Sequence, residues 1–240
     1  MRPPAAPRLA GRLWDLLAGH VVPAAVFALL LLNQASRARD AIVAAIAQGA
    51  PPAGMLRAAN SVLIVAYLAL LAGLYLFRLP ARGTDRRPAI VAASFVSTFM
   101  VMAVPYLPAA APRDWLLLPA DVVALVGIGG ALWSLAYLRR SFAILPQARR
   151  LVTGGPYGLS RNPLYVAEVV AGWSVYLPTM AWPGLLALSA NVVLLLVRVR
   201  AEERVLAAAF GDEYVEYRRR VPRFLPHPWR ERRDRQPAFD

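Results

Sequence analysis

The chain of 240 residues contains no cysteine and only two histidines, His20 and His227. Without cysteine there is no disulfide framework, no thiolate nucleophile and no cysteine metal site. The histidines are far apart in sequence and neither has a helical partner, so no metal is expected and each reads as an interfacial residue. Lysine is missing altogether, and the net charge of +13 therefore rests on arginine. Charged residues make up only 17% of the chain against 58% hydrophobic, with a mean hydropathy of +0.47. A soluble domain of this length rarely has that balance, which argues for a polytopic membrane protein. The arginines stand between and after apolar runs rather than on one face of a soluble fold, which disfavours nucleic acid as a partner.

The apolar runs set the architecture. After a proline- and arginine-rich tail over 1–15, Leu16 to Leu32 is the first run, broken by His20 and Pro23. It reads as an uncleaved span rather than a secretory signal, because no clean small-x-small cleavage site follows. Ala41 to Ala50 is too short to cross and is expected to lie at the outer interface. Leu56 to Phe77, Ala89 to Leu107 and Leu116 to Leu138 are clearer spans. Asp121 sits near the outer end of the last of these, within reach of water, and Gly127, Gly129, Gly130 and Ala131 suggest close helix packing there. Two shorter runs follow, Pro163 to Leu177 and Gly184 to Val199, which suit a tight helical hairpin. Beyond it a charged amphipathic stretch can continue the helix to about Tyr217.

The expected fold is thus all-α, a polytopic helical membrane protein with about six apolar helices, the short C-terminal hairpin and a cytoplasmic cap. Residues 1–138 form the N-terminal transmembrane helices and 139–240 the C-terminal catalytic region. With six crossings, all of the 27 arginines except Arg37, Arg39, Arg57 and Arg113 fall on one side. The positive-inside rule makes that side cytoplasmic and puts both termini there. The lysine-free composition fits a GC-rich genome, and the expected location is a bacterial inner membrane.

Against this background the stretch from Leu151 to Trp173 is unusual. Gly154-Gly155-Pro156 is a turn that only glycine and proline build easily. Arg161 and Asn162 then lead into Pro163, which suits the first turn of a helix. On that otherwise apolar helix Asn162, Tyr165 and Glu168 share one broad face. A polar stripe on a membrane helix is costly unless it faces a cavity or a partner.

The run Leu-Val-Thr-Gly-Gly-Pro-Tyr over 151–157, followed by Arg161-Asn162-Pro163-x-Tyr165, resembles the cofactor loop of the isoprenylcysteine carboxyl methyltransferase family, which includes phospholipid methyltransferase-like proteins. A second block agrees with it: Glu202-Glu203, then Phe210-Gly211-Asp212-Glu213-Tyr214-x-x-Tyr217, then Arg220-Val221-Pro222-Arg223-Phe224-Leu225-Pro226. Ser141-Phe142 upstream also fits, and the likeness runs from about 139 to 228. Where the family often has histidine, this chain has Asn162.

The resemblance implies an integral membrane enzyme using S-adenosyl-L-methionine. It assigns the cofactor to Leu151, Val152, Gly155, Pro156, Tyr157, Asn162, Tyr165, Glu202 and Glu203, with Glu203 ranked before Glu202 for the ammonium. Arg161 offers a bidentate fork for a carboxylate, and Arg161 and Glu203 are the expected catalytic residues. Tyr157 and Tyr165 suit cation–π or stacking contact with the sulfonium or the base. The plainer reading of Glu202-Glu203 is helix pairing with Arg198 and Arg200, in an order worth only a few tenths of a kcal/mol. Glu168 and Trp173 are expected at the acceptor pocket. Arg218, Arg219 and Arg220 read as partners of lipid headgroups.

The expected acceptor is lipophilic and lies in the bilayer: an isoprenylcysteine-like carboxylate for O-methylation, or a lipid amine for N-methylation. A missing histidine or cysteine near the loop favours an acceptor that needs no base. Two other classes stay open. A membrane NADPH-dependent sterol or steroid reductase has a similar C-terminal region, though the Gly-Gly-Pro-Tyr loop followed by Glu-Glu favours methyl transfer. A non-enzymatic membrane module would show internal repeats or charges deep in several spans, and neither is evident.

Overall fold

The computed structural model describes residues 21–77, 83–104, 107–109 and 111–224. The expected N-terminal tail, His20, Arg78 and Arg82, and everything from Leu225 onward, including His227, lie outside the described residues. The structure is all-α apart from one two-residue strand pair. In chain order the helices are α1 Val22–Ala47, α2 Pro52–Leu76, α3 Pro88–Ala103, α4 Asp114–Leu138, α5 Pro163–Tyr176, α6 Trp182–Phe210 and α7 Asp212–Arg220. Strands β1 Gly83–Thr84 and β2 Gln147–Ala148 pair antiparallel. Proline opens α1, α2, α3, α5 and α6 within their first turns, where its missing N–H costs no intrahelical bond.

Three helices, α2, α4 and α6, are long and apolar enough to cross a membrane, and the apolar stretch Pro88–Val101 is shorter. On such helices apolar residues do not reveal the inward face, because lipid is as apolar as a core. The buried polar residues do. Asn60, Ser94, Ser97, Ser134, Asn191 and Arg198 are all turned inward and hydrogen-bonded across or along helices. Asn191 Nδ2 donates to Ser97 O at 2.7 Å and ties α6 to α3. Gly127 lets α5 touch α4, since a Cβ there would stand 2.4 Å from the Ala171 nitrogen. Gly130 faces Ala167 in the same seam, whereas Gly129 faces open space. The main apolar core gathers Phe27, Tyr75, Leu135, Phe142 and Ile144, and the Tyr75 hydroxyl accepts the Ile144 N–H at 2.6 Å.

Several expectations need correction. Ala41–Ala50 is not a separate interfacial segment: α1 runs unbroken to Ala47, with Ala38 and Ala45 buried. No residue between 33 and 47 is a proline or glycine, so nothing in the chain stops the helix there. Asp121 is not simply at water; its carboxylate lies 3.5 Å from Arg57 Nε, and Asn60 donates to its backbone carbonyl at 2.8 Å. The last long helix does not continue to Tyr217, because Gly211, at φ +50°, ends α6 and starts α7. α5 and α6 follow one another across a short turn, but α5 packs chiefly on α4, and α6 on α3.

The β1–β2 pair brings the 83–84 and 147–148 connections to one end of the bundle, and the Asp85 N–H adds a bond to Pro146 O at 3.1 Å. At that same end lie the C-termini of α2, α4 and α6 and the N-termini of α3 and α5. Both sequence blocks therefore meet there.

Candidate active site

Gly155 sits at φ +58°, and a Cβ on it would also stand 2.4 Å from the Tyr137 ring, so the loop needs glycine twice over. The turn Gly155–Gly158 that follows buries Pro156 and Tyr157. Next, residues 160–162 are pinned to the C-terminal segment. The Arg161 N–H donates to Pro222 O at 2.9 Å, while Asn162 Nδ2 and Ser160 Oγ donate to Arg223 O at 3.0 and 3.3 Å. Asn162 occupies the N-cap position of α5 but spends its side chain on this tether instead of capping.

Between this loop, the start of α5 and the end of α6 is a cavity of about 100 Å³. Leu151, Val152, Tyr157, Arg161, Asn162, Tyr165 and Glu202 line it. Gly155 and Pro156 shape the loop behind it and do not line it. Glu203 does not line it either: that carboxylate is buried between Arg161 Nη2, at 3.4 Å, and Arg223 Nε, at 3.2 Å. Adjacent residues point about 100° apart around a helix, so Glu202 and Glu203 meet different neighbours. The cavity takes Glu202.

Glu202 Oε1 accepts from the Tyr165 hydroxyl at 2.5 Å and from Arg198 Nε at 3.2 Å, while Oε2 takes no hydrogen bond among the described residues. The other two nitrogens of Arg198 also donate, Nη1 to Thr98 Oγ1 at 3.1 Å and Nη2 to Ala143 O at 3.2 Å, and its guanidinium is 5.0 Å from the Tyr165 ring centre. Sequence reasoning treated Arg198 as an ordinary pairing partner. The missed signal was its place within an apolar helix, where an arginine must be partnered. Across the cavity Arg161 has a side chain only 9% exposed, and its Nε and Nη1 have no hydrogen-bond partner among the described residues.

Phenols complete the walls. Burial, reinforced by Glu202, holds the Tyr157 hydroxyl well above its usual pKa. Burial likewise raises Tyr217, and Tyr214 too, the latter against the opposing pull of Arg161. All three stay protonated near neutral pH, and Tyr217 donates to Tyr157 O at 2.7 Å, clamping α7 to the loop.

Glu168 and Trp173 face a different space. They line a second cavity of about 60 Å³ between α3, α5 and α6, with Val101, Gly172, Leu188 and Asn191. Glu168 Oε1 accepts from the Tyr67 hydroxyl at 3.2 Å, a partner on α2 that sequence reasoning did not find. Tyr165 and Glu168 are one turn apart, about 4.5 Å along α5, so neighbouring turns of one helix contribute to the two cavities. Among the described residues no group of three or more His, Cys, Asp or Glu side chains is placed to hold a metal.

Comparison with known proteins follows this geometry. The phospholipid methyltransferase family matches residues 120–213. Over these residues the chain is similar to that family. Protein-S-isoprenylcysteine O-methyltransferase B of Arabidopsis thaliana is 37% identical over 95 residues, covering 36% of this chain and 47% of that protein. Methanethiol S-methyltransferase 2 of Bradyrhizobium diazoefficiens is 40% identical over 77 residues, 32% of this chain and 29% of the relative. The cobalt-zinc-cadmium resistance protein CzcN of Cupriavidus metallidurans is 37% identical over 99 residues, 40% and 43% of the two chains. The matched part thus spans less than half the length of each relative. The family match falls on the region that carries the loop, α5 and α6.

Proposed function

We propose that the chain is an integral membrane methyltransferase that uses S-adenosyl-L-methionine and acts on a lipophilic acceptor. The observation that carries this reading is the first cavity's pair of unspent groups. Two buried donors of Arg161 lack an acceptor and Glu202 Oε2 lacks a donor among the described residues, and Leu151, Val152 and Tyr157 line the same cavity. Buried unpaired guanidinium donors are costly and call for an acceptor. An α-amino acid group answers both needs, its carboxylate toward Arg161 and its ammonium toward Glu202. The apolar and aromatic walls suit an adenosyl group.

When bound, the cofactor supplies a methyl group on a positively charged sulfur. The protein's part is alignment and exclusion of water. Tyr165 holds Glu202 by hydrogen bond and Arg198 by its ring face, fixing the carboxylate. Glu203, braced by Arg223, orients Arg161 and so acts as a positioning residue. The 222–223 carbonyls hold the loop that carries Arg161 and Asn162. The second cavity, with Glu168 and Trp173, is the acceptor side. In this reading 139–240 is the catalytic region and 1–138 the helical support, with the loop end cytoplasmic in a bacterial inner membrane.

Relatives named for methanethiol, isoprenylcysteine and phospholipid substrates set the range of acceptors to try. The test is calorimetric titration of the purified chain with S-adenosylhomocysteine and, separately, NADPH. Binding of the first and not the second is expected. Glu202→Ala should weaken it by roughly ten- to a hundredfold, the worth of a charged hydrogen bond. NADPH binding with no response to S-adenosylhomocysteine would mark a reductase and sink the proposal.

A further inference from the structure

We infer that the second cavity selects an acceptor that gives up a proton, a thiol or an amine rather than a carboxylate, and that Glu168 takes that proton. The inference rests on the methyl-transfer reading above and goes against the sequence expectation of an acceptor needing no base. Glu168 is the only acidic side chain in a cavity walled by Val101, Val169, Leu188 and Val192. Among the described residues its one hydrogen-bond donor is Tyr67, which leaves Oε2 unspent. Arg198 is the nearby cation, but each of its nitrogens already donates elsewhere, to Glu202, Thr98 and Ala143. Asn191 likewise donates to Ser97 O.

An anionic acceptor would therefore meet a second carboxylate in a cavity whose other polar lining is Ser189 and Asn191 and which no cation lines, and like charges in a low dielectric repel strongly. A group bearing X–H meets the reverse, a carboxylate oxygen with acceptor capacity to spare. Position agrees with that role. Glu168 is one turn along α5 from Tyr165, which lines the cofactor cavity, so a nucleophile beside Glu168 is next to the shared wall. Trp173, Leu185 and Val192 are exposed at the cavity's outer side, where bilayer would lie, and give the acceptor's apolar body a way in.

The step balances without further reactants. A thiol gives its S–H proton to Glu168 and becomes a thiolate, or an alkylammonium gives one N–H proton and becomes a neutral amine with a free lone pair. That sulfur or nitrogen then bonds to the methyl carbon as the carbon–sulfur bond breaks, the electron pair staying on sulfur and turning the sulfonium into a neutral thioether.

The experiment uses the full chain in nanodiscs, with labelled S-adenosylmethionine and four acceptors: hexanethiol, hexylamine, hexanoate and thiophenol. The thiol or the amine should be methylated and hexanoate hardly at all, and which of the two reacts identifies the source of the proton. Glu168→Gln should lower transfer to that acceptor about a hundredfold, within the usual range for a lost general base, while S-adenosylhomocysteine affinity is unchanged. Thiophenol, already largely ionised at neutral pH, should lose far less. Preference for hexanoate would overturn the inference, as would an equal loss on hexanethiol and thiophenol. If the wild-type chain does not bind S-adenosylhomocysteine at all, the cofactor reading falls first and this one with it. Tyr67→Phe, which leaves the carboxylate but removes its donor, should give a smaller loss in the same acceptor-dependent pattern.

Discussion

The cavity at the loop end and the cavity inside the bundle share α5 as a wall and differ in nearly everything else. The first is built by connections: a glycine-rich turn, a tether to 222–223 and the last turns of α6, with arginines and phenols around it. The second is built by helix faces and holds a single carboxylate among mostly apolar side chains, with Ser189 and Asn191 the other polar ones. Polar groups around the first hold one another, Tyr165 with Glu202 and Arg161 with Glu203 behind the wall, and still leave two Arg161 nitrogens without a partner among the described residues. In the second the acid has one neutral donor. A site that binds a charged molecule needs many fixed dipoles, whereas a site that takes in an apolar one needs few. Under the proposed reaction, that contrast gives the first to the cofactor and the second to the acceptor.

Substitutions can test that division. The largest effect should come from the shared wall. Gly127→Val puts side-chain atoms where the Ala171 backbone already stands, a Cβ being 2.4 Å from its nitrogen. Loss of folded protein, or of both binding activities together, is expected in size-exclusion and ligand-binding assays. A variant that keeps one activity and loses the other would show that the cavities do not depend on a common seating of α5.

Next in size, Arg161→Ala should weaken S-adenosylhomocysteine binding by roughly ten- to a hundredfold while leaving acceptor KM nearly unchanged. Calorimetry and steady-state kinetics on the same preparation give both numbers. An effect confined to KM would exchange the roles of the cavities.

Trp173→Ala should do the opposite on a smaller scale. It removes an apolar wall that is 41% exposed, so a loss of about 1–2 kcal/mol of acceptor binding is expected, or roughly five- to thirtyfold in acceptor KM. Cofactor affinity should not move.

The smallest change expected is for Asn162→His. Asparagine there supplies a donor to Arg223 O, and an imidazole N–H can supply one too. Activity should stay within a few-fold, whereas Asn162→Ala should lose cofactor affinity by loosening the loop. Turnover in the histidine variant alone would make the natural chain a non-catalytic relative.

Much of the fold was legible because membrane helices announce themselves by length, and prolines marked where they begin. The run from Ala41 misled, since a charged cluster at Arg37, Arg39 and Asp40 looks like a break although those side chains simply stand outward on a continuous helix. At the site, spacing brought Asn162, Tyr165 and Glu168 to one face but could not say that neighbouring turns of the helix contribute to two cavities. Nor could it rank Glu202 against Glu203: the choice depends on where α6 is rotated, and that is set by Asn191 on Ser97 and Arg198 on Thr98, nearly a hundred residues away in sequence. Tyr67 was out of reach for the same reason.

The tether at 222–223 is made largely by main-chain carbonyls, those of Pro222 and Arg223, accepting from Arg161, Asn162 and Ser160. Every amino acid carries that carbonyl, so these hydrogen bonds tolerate most replacements at the two positions, although the Arg223 side chain is still needed to brace Glu203. It is sensitive instead to the continuity and length of the chain between α6 and Phe224. Nicking the backbone after Arg220, or inserting a single residue before Pro222, should open the cofactor loop more thoroughly than many point changes within it. A fusion partner or purification tag is then better placed at the N-terminus, away from the segment whose path, more than its side chains, keeps the site closed.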